Sequence, residues 1–298
     1  METRSPFGRL ITAMVTPFDS NLDLDLPRTQ ELAIRLLDGG SDGLLVNGST
    51  GESPTVFYPQ KIELFKAVVE AVDGRAPVIA NVGDNCTADS VDFAKQVVKL
   101  GVDAIMLVVP YYNKPPQEGM YRHFRTIAEA VDLPVILYNI PGRTGINMLP
   151  ETTLRLANDV ENIIAVKEAS GNLEQIKKII DESDDDFFVY SGDDSLTLPI
   201  MGLGGEGVIS TTSNVAPQRM KELVEAQANG DHTTAVACDI KLQPLMKELF
   251  AATNPILVKE ALKLLGFPVG GLRLPLIDAT PEQSEHLAKV MREVGVLK

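Results

Sequence analysis

Cysteine is scarce. Cys86 and Cys238 are the only two in 298 residues, with no CxxC pair and no framework spacing. The chain is therefore not organised by disulfides, and the count fits a reducing cytosol. Histidine is scarce too. His123, His232 and His286 lie far apart within helical patterns, so no metal centre is expected, and no Ser-His-Asp arrangement is visible. Positive charge is in deficit: 27 Lys and Arg stand against 41 Asp and Glu, a formal net charge of −14. Such an acidic surface argues against nucleic acid and anionic membranes as partners. No apolar run approaches the roughly 18 residues of a membrane span, and Met1–Leu10 does not resemble a signal peptide. These absences point to a cytoplasmic protein.

What is present is a regular alternation. Apolar residues make up 44% of the chain, enough for a large core. Strand-like runs at Arg9–Val15, Gly43–Val46, Pro77–Asn81, Ala104–Val109, Pro134–Tyr138, Ile163–Lys167, Phe187–Ser191 and Val208–Ser210 are each followed by an amphipathic, helix-like segment. The helical segments are Arg28–Leu37, Gln60–Val72, Asp89–Leu100, Glu118–Val131, Glu151–Ala157, Leu173–Ile180, Ser195–Met201 and Gln218–Asn229. Eight such units at a spacing of roughly 30 residues predict an α/β fold, a parallel sheet closed into a (β/α)8 TIM barrel. An open, doubly wound sheet is the competing topology. The barrel would occupy residues 1–230. Residues 231–298 would form a C-terminal helical region, with helices at Ala235–Phe250, Pro255–Leu265 and Pro281–Val294. The acidic Asp181–Asp186 run reads as a solvated helix end.

Barrels carry their chemistry at the C-terminal strand ends. Strand six, IIAVKEASGN, runs from four apolar residues straight into Lys167. Burial there disfavours the ammonium and lowers the pKa, and the neutral amine is the form that attacks a carbonyl to make a Schiff base. A lysine snorkelling to solvent or pairing with Glu168 is the structural alternative. Strand two leads into Gly48-Ser49-Thr50-Gly51-Glu52, whose hydroxyls and backbone N–H groups between glycines suit a small carboxylate. Strand four leads to Pro110-Tyr111-Tyr112-Asn113, and strand five ends in Tyr138-Asn139 before Pro141-Gly142-Arg143-Thr144-Gly145. Phenols and a hydroxyl beside a Schiff-base lysine make a plausible proton relay, and Arg143 offers a bidentate fork for a carboxylate. Strands seven and eight run to Gly192-Asp193-Asp194 and Ile209-Ser210. Gly202–Gly207 matches GxGxxG but has a helix before it and a strand after it, the reverse of a dinucleotide site. Cys86, just after strand three, reads as an inert small core residue.

The motifs GSTGE, YYN, YNIPGRTG, IIAVKEASGN, SGDD and GVIS, spread over nearly the whole length, resemble the dihydrodipicolinate synthase and N-acetylneuraminate lyase superfamily of pyruvate-dependent class I aldolases. The resemblance implies a (β/α)8 barrel, a homotetramer built as a dimer of dimers, and no cofactor. It implies that Lys167 forms the Schiff base with pyruvate and that Tyr138 shuttles protons. Ser49 would complete that relay with Tyr112, which enters from a neighbouring subunit. Thr50 and Gly51 would join Ser49 in holding the pyruvate carboxylate, and Gly192 and Ile209 would contribute backbone nearby. Arg143 matches the arginine with which the synthases bind the carboxylate of aspartate semialdehyde, whereas Ser49 is the residue typical of the lyases. Arg143 makes the more substrate-specific contact, so the synthase reaction is expected. A lyase for N-acetylneuraminate or a 2-keto-3-deoxy sugar acid is the alternative, and a barrel that senses oxo-acids without turnover is the non-enzymatic one. Asn85 and Tyr111 match the site at which the synthases bind lysine as an effector, while Tyr58 and Lys61 replace its histidines.

Overall fold

The structure, a computed structural model, describes residues 5–298. Eight short parallel strands close into a barrel: β1 (Leu10–Ala13), β2 (Gly43–Val46), β3 (Val78–Asn81), β4 (Ala104–Val108), β5 (Val135–Asn139), β6 (Ile163–Glu168), β7 (Phe188–Ser191) and β8 (Gly207–Ser210). Closure runs through β1 and β8, with Ile11 opposite Ile209. The open-sheet alternative is thereby excluded. All eight strands are covered on both faces, so their sequences are nearly continuous apolar runs. Alternate residues fill the barrel, among them Ile11, Leu45, Ile79, Met106, Ile136 and Ala165, while their neighbours pack outward beneath the helices.

Between the strands run α1 (Leu26–Asp38), α2 (Tyr58–Val72), α3 (Thr87–Val97), α4 (Gln117–Ala128), the single turn α5 (Pro141–Thr144), α6 (Pro150–Asp159), α7 (Leu173–Glu182) and α8 (Thr197–Gly202). α9 (Pro217–Ala228) follows β8. Local chemistry starts them. Asp25 accepts from Arg28 N at the head of α1, and Asn172 accepts from Glu174 N and Gln175 N at the head of α7. Asp181–Asp186 lies at the solvated end of α7, as its charge suggests.

Some ends differ from the sequence pattern. α4 stops at Ala128, short of Val131: Ala130 N and Val131 N turn back to the carbonyls of Ile127 and Ala128, and Asn162 Nδ2 donates to the carbonyls of Ala128, Val131 and Leu133 in the turn that follows. α3 tightens into a 3₁₀ turn over Val98–Leu100, and the Pro141–Thr144 turn is helical rather than loop. The last helices are α10 (His232–Glu248), α11 (Ile256–Leu264) and α12 (Pro281–Glu293). Leu242 and Met246 of α10 pack on Met220, Leu223 and Val224 of α9, and α11 and α12 bury Leu257, Ala261, Leu287 and Met291 in the main core. Among the described residues no helix is long and apolar enough to cross a membrane.

Candidate active site

A cleft of about 530 Å³ opens at the C-terminal ends of the strands. Its floor is built from the last inward-facing residues of β3, β4 and β5, which are Asn81, Val108 and Tyr138. Ser49 and Arg143 line it, as does Asn254 from the segment before α11.

Tyr138 stands directly opposite Lys167 across the β5–β6 ladder. Both point inward, and the Lys167 Nζ lies 4.5 Å from the centre of the Tyr138 ring. Lys167 is only 5% exposed, so it does not snorkel. Nor does it pair with Glu168, which faces the other way. Burial lowers the Lys167 pKa to about 8; the Asp194 carboxylate opposes that shift, and the Arg143 cation assists it. At pH 7 about one lysine in ten is then neutral, against about one in three thousand for an ordinary lysine. Burial pushes the Tyr138 phenol up to about 12, with Arg143 and the Ser49 hydroxyl pulling the other way. The phenol is thus a proton donor at neutral pH. Gly192 lets the β7 end pass close by, since a Cβ there would stand 3.1 Å from Lys167 Cγ. Ile209 is buried inside the barrel on β8.

The turn after β2 is pinned on all sides. Asn47 and Asn81 exchange side-chain-to-backbone hydrogen bonds of 3.3 and 3.0 Å. Gly51 donates its N–H to Gly48 O, and its carbonyl accepts from Thr16 Oγ1, so its polar groups hold the turn. No backbone acceptor among the described residues takes the N–H of Ser49 or Thr50. These two donors remain for an anion. The Thr50 hydroxyl meets Thr211 Oγ1 at 3.1 Å and accepts from Asn254 Nδ2 at 2.8 Å. Arg143 donates one N–H to the Asn254 carbonyl at 3.2 Å.

The remaining sequence-predicted residues gather at the same cleft, which Tyr58, Lys61 and Tyr111 also line, with one exception. Tyr58 and Tyr111 both donate to Asp84, at 3.0 and 2.9 Å, and burial with that carboxylate raises both phenols, Tyr58 to about 12. Asn85 donates to the Tyr111 carbonyl, and Lys61 lies 5.0 Å from the Tyr58 ring. Burial lowers the Lys61 pKa, with Asp84 opposing. Tyr112 is the exception. It is 90% exposed in a left-handed backbone conformation and takes no part in its own chain's cleft, which Tyr111 and Tyr138 line. Cys86 is likewise exposed at the head of α3, not in the core. His123 is buried against Thr87 Oγ1, with its pKa lowered to about 4 by burial, and no metal-binding cluster occurs among the described residues.

Several contributors escaped the sequence pattern. Glu52, the last residue of GSTGE, meets Lys259 of α11 at 2.6 Å in a fully buried ion pair and accepts from Arg273 N. Asp194 Oδ2 accepts from Thr211 N, Thr212 N and Thr212 Oγ1 and so fixes the end of β8. Glu168 accepts from Asn139 Nδ2, Gln175 Nε2 and Ser170 N behind the strand pair that carries Tyr138 and Lys167. The only sequence signal for Asn254 is a polar Thr-Asn-Pro run between apolar helices.

Known proteins are similar to this chain in sequence and fold. The description of the Dihydrodipicolinate synthetase family matches residues 6–294. A 4-hydroxy-tetrahydrodipicolinate synthase of Symbiobacterium thermophilum is 53% identical over 291 residues, which cover 98% of this chain and 99% of that one. A dihydrodipicolinate synthase of Cyanidioschyzon merolae, solved with lysine bound, superposes with a TM-score of 0.96 at 46% identity over 98% of this chain and 99% of that one. The chloride-inhibited synthase of Acinetobacter baumannii, complexed with pyruvate, gives 0.95 at 37% identity over 98% and 100%. With its closed barrel, its buried strand-six lysine and a match over nearly its full length, the chain belongs to the dihydrodipicolinate synthetase family.

Proposed function

We propose that the protein is a class I lyase that condenses pyruvate with L-aspartate 4-semialdehyde to 4-hydroxy-tetrahydrodipicolinate, on the route to diaminopimelate and lysine. The observation that carries this reading is Lys167, a buried amine brought down to about 8 against Tyr138, whose side chain lines a cleft together with Ser49 and Arg143. The neutral amine attacks C2 of pyruvate. Tyr138 donates a proton to the departing hydroxyl, and water leaves as the imine forms. The Tyr138 phenolate takes a methyl proton to give the enamine, whose C3 attacks the aldehyde carbon; this restores the imine, and the aldehyde oxygen takes the proton back from Tyr138. The semialdehyde's own amine then attacks the imine carbon, which frees Lys167 and closes the ring.

The unengaged N–H groups of Ser49 and Thr50 suit the pyruvate carboxylate, and Arg143 suits that of the semialdehyde. Serine at position 49 keeps the hydroxyl that the relay uses. The identity to named synthases, with Arg143 in the cleft, supports this substrate over a sugar-acid lyase. The test is pyruvate consumption with aspartate semialdehyde as the only aldehyde, in the parent and in Arg143→Ala. Rapid turnover that collapses in the variant is the expected result. An inactive parent that cleaves N-acetylneuraminate would overturn the reading.

The exposed Tyr112 supports an assembly of at least two copies, of which the expected homotetramer is one, with a neighbouring copy supplying this phenol to the relay. Mixing inactive Tyr112→Phe with inactive Lys167→Ala should restore part of the activity, because some mixed sites then hold both native residues. Lys61 places a cation among the groups that would receive a lysine effector, which supports weak or absent feedback. Half-inhibition by sub-millimolar lysine would refute that point.

A further inference from the structure

We propose that Asn254 is a positioning residue that ties together the two carboxylate-holding groups of the cleft and sets the spacing between the substrates. This rests on the reading above. Asn254 lies outside the eight strands, yet it lines the cleft and is only 5% exposed. Its side-chain amide donates to Thr50 Oγ1 at 2.8 Å, and its backbone carbonyl accepts from Arg143 Nη2 at 3.2 Å. One residue thus touches the group that faces pyruvate and the group that faces the aldehyde's carboxylate.

The direction of these bonds matters. The Thr50 oxygen is thus held from two sides, by the Asn254 amide N–H it accepts and by Thr211 Oγ1, 3.1 Å away. The Thr50 side chain is then fixed, and recognition is left to its backbone N–H. Thr50 is β-branched and 3% exposed, so a fixed hydroxyl fixes the backbone beside it. Arg143 is a long side chain whose only hydrogen bond to protein among the described residues is the one to Asn254. A guanidinium has five N–H donors, so one anchored N–H leaves the fork free for a carboxylate while removing much of its rotational freedom. The amide of Asn254 holds the carbonyl that holds Arg143. Breaking the amide's bond to Thr50 should therefore loosen both substrate contacts while leaving Lys167 and Tyr138 in place.

The test is a cycle of Asn254→Ala, Thr50→Val and the double variant, with thermal midpoints measured alongside. Loss of one neutral hydrogen bond should raise the pyruvate concentration that half-saturates borohydride trapping by about 3- to 10-fold in Asn254→Ala. The KM for the semialdehyde should rise by a similar factor, with kcat within about twofold. Thr50→Val breaks the same bond from the other side and the contact with Thr211 as well, so its effect should be at least as large, and the double variant should be no worse than Thr50→Val alone. If Asn254→Ala does not fold, Thr50→Val alone reads the bond. Multiplicative effects, unchanged KM values beside a lower midpoint, or a fall confined to kcat would each overturn the proposal. A parent that forms no trappable pyruvate adduct would instead defeat the functional reading on which it rests.

Discussion

Tyr138 and Lys167 face each other across β5 and β6, and so do their immediate neighbours, Asn139 and Glu168. One pair points into the barrel and the other into the layer beneath the helices. On the outer side Glu168 is surrounded by donors: both oxygens meet Asn139 Nδ2, and Gln175 Nε2 and Ser170 N complete the set. On the inner side the Lys167 amine meets the face of an aromatic ring and, among the described residues, no hydrogen-bond acceptor. Burial acts against charge in both places. It raises the Glu168 pKa, but four hydrogen bonds oppose the shift, whereas for Lys167 only the charge of Asp194 does so. A buried ionisable group with its hydrogen-bond partners in place is scaffold. One left without them is reactive.

The comparison is broken most severely from the inner side. Lys167→Met should lower turnover by at least about 10⁴-fold and abolish borohydride trapping of pyruvate, while the barrel remains folded. The same variant should be more stable than the parent. A lysine whose pKa is about 8 when folded and 10.5 when unfolded binds fewer protons folded, so its burial destabilises the protein below pH 8. The gain from Lys167→Met should be on the order of 3 kcal/mol at pH 7 and fade as pH rises from about 8 to 10.5, as read by urea unfolding across that range.

From the outer side, Glu168→Ala strands the donors of Asn139, Gln175 and Ser170. It should lose about 2–4 kcal/mol by urea unfolding at neutral pH. The protein that remains folded should keep its trappable lysine, with turnover reduced about tenfold through disturbed strand ends.

Smaller effects sharpen the contrast. The rate of imine formation in the parent should rise with pH and level off near 8. In Arg143→Ala the levelling point should move upward, because the cation that helps to lower the lysine pKa is gone. Ser49→Thr keeps the hydroxyl beside Tyr138 and should change kcat by less than about threefold in steady-state assays.

Much of this was legible in the chain. Strands such as VILYN and AIMLV are buried on both faces, so each reads as an unbroken apolar run, and Lys167, Tyr138 and Ser49 could be placed by counting to the strand ends. Helix ends were less legible. Val131 continues the periodicity of α4, but the chain tightens after Ala128, and the turn that follows is held by Asn162, more than thirty residues later. Asn254 as part of the cleft and Lys259 as the partner of Glu52 were the least legible. No strand indexes them, and their partners Thr50 and Glu52 lie two hundred residues earlier.

The buried pair of Glu52 and Lys259 bears on how the chain is made. A ribosome delivers all eight strands, with Lys167, Tyr138 and Arg143, before it reaches α11. The turn after β2 is then still missing the cation at Glu52, the backbone N–H of Arg273 and the amide of Asn254. Until Lys259 arrives, Glu52 has no counter-charge with which to enter the interior. The first catalytic turn to emerge is thus among the last to be finished.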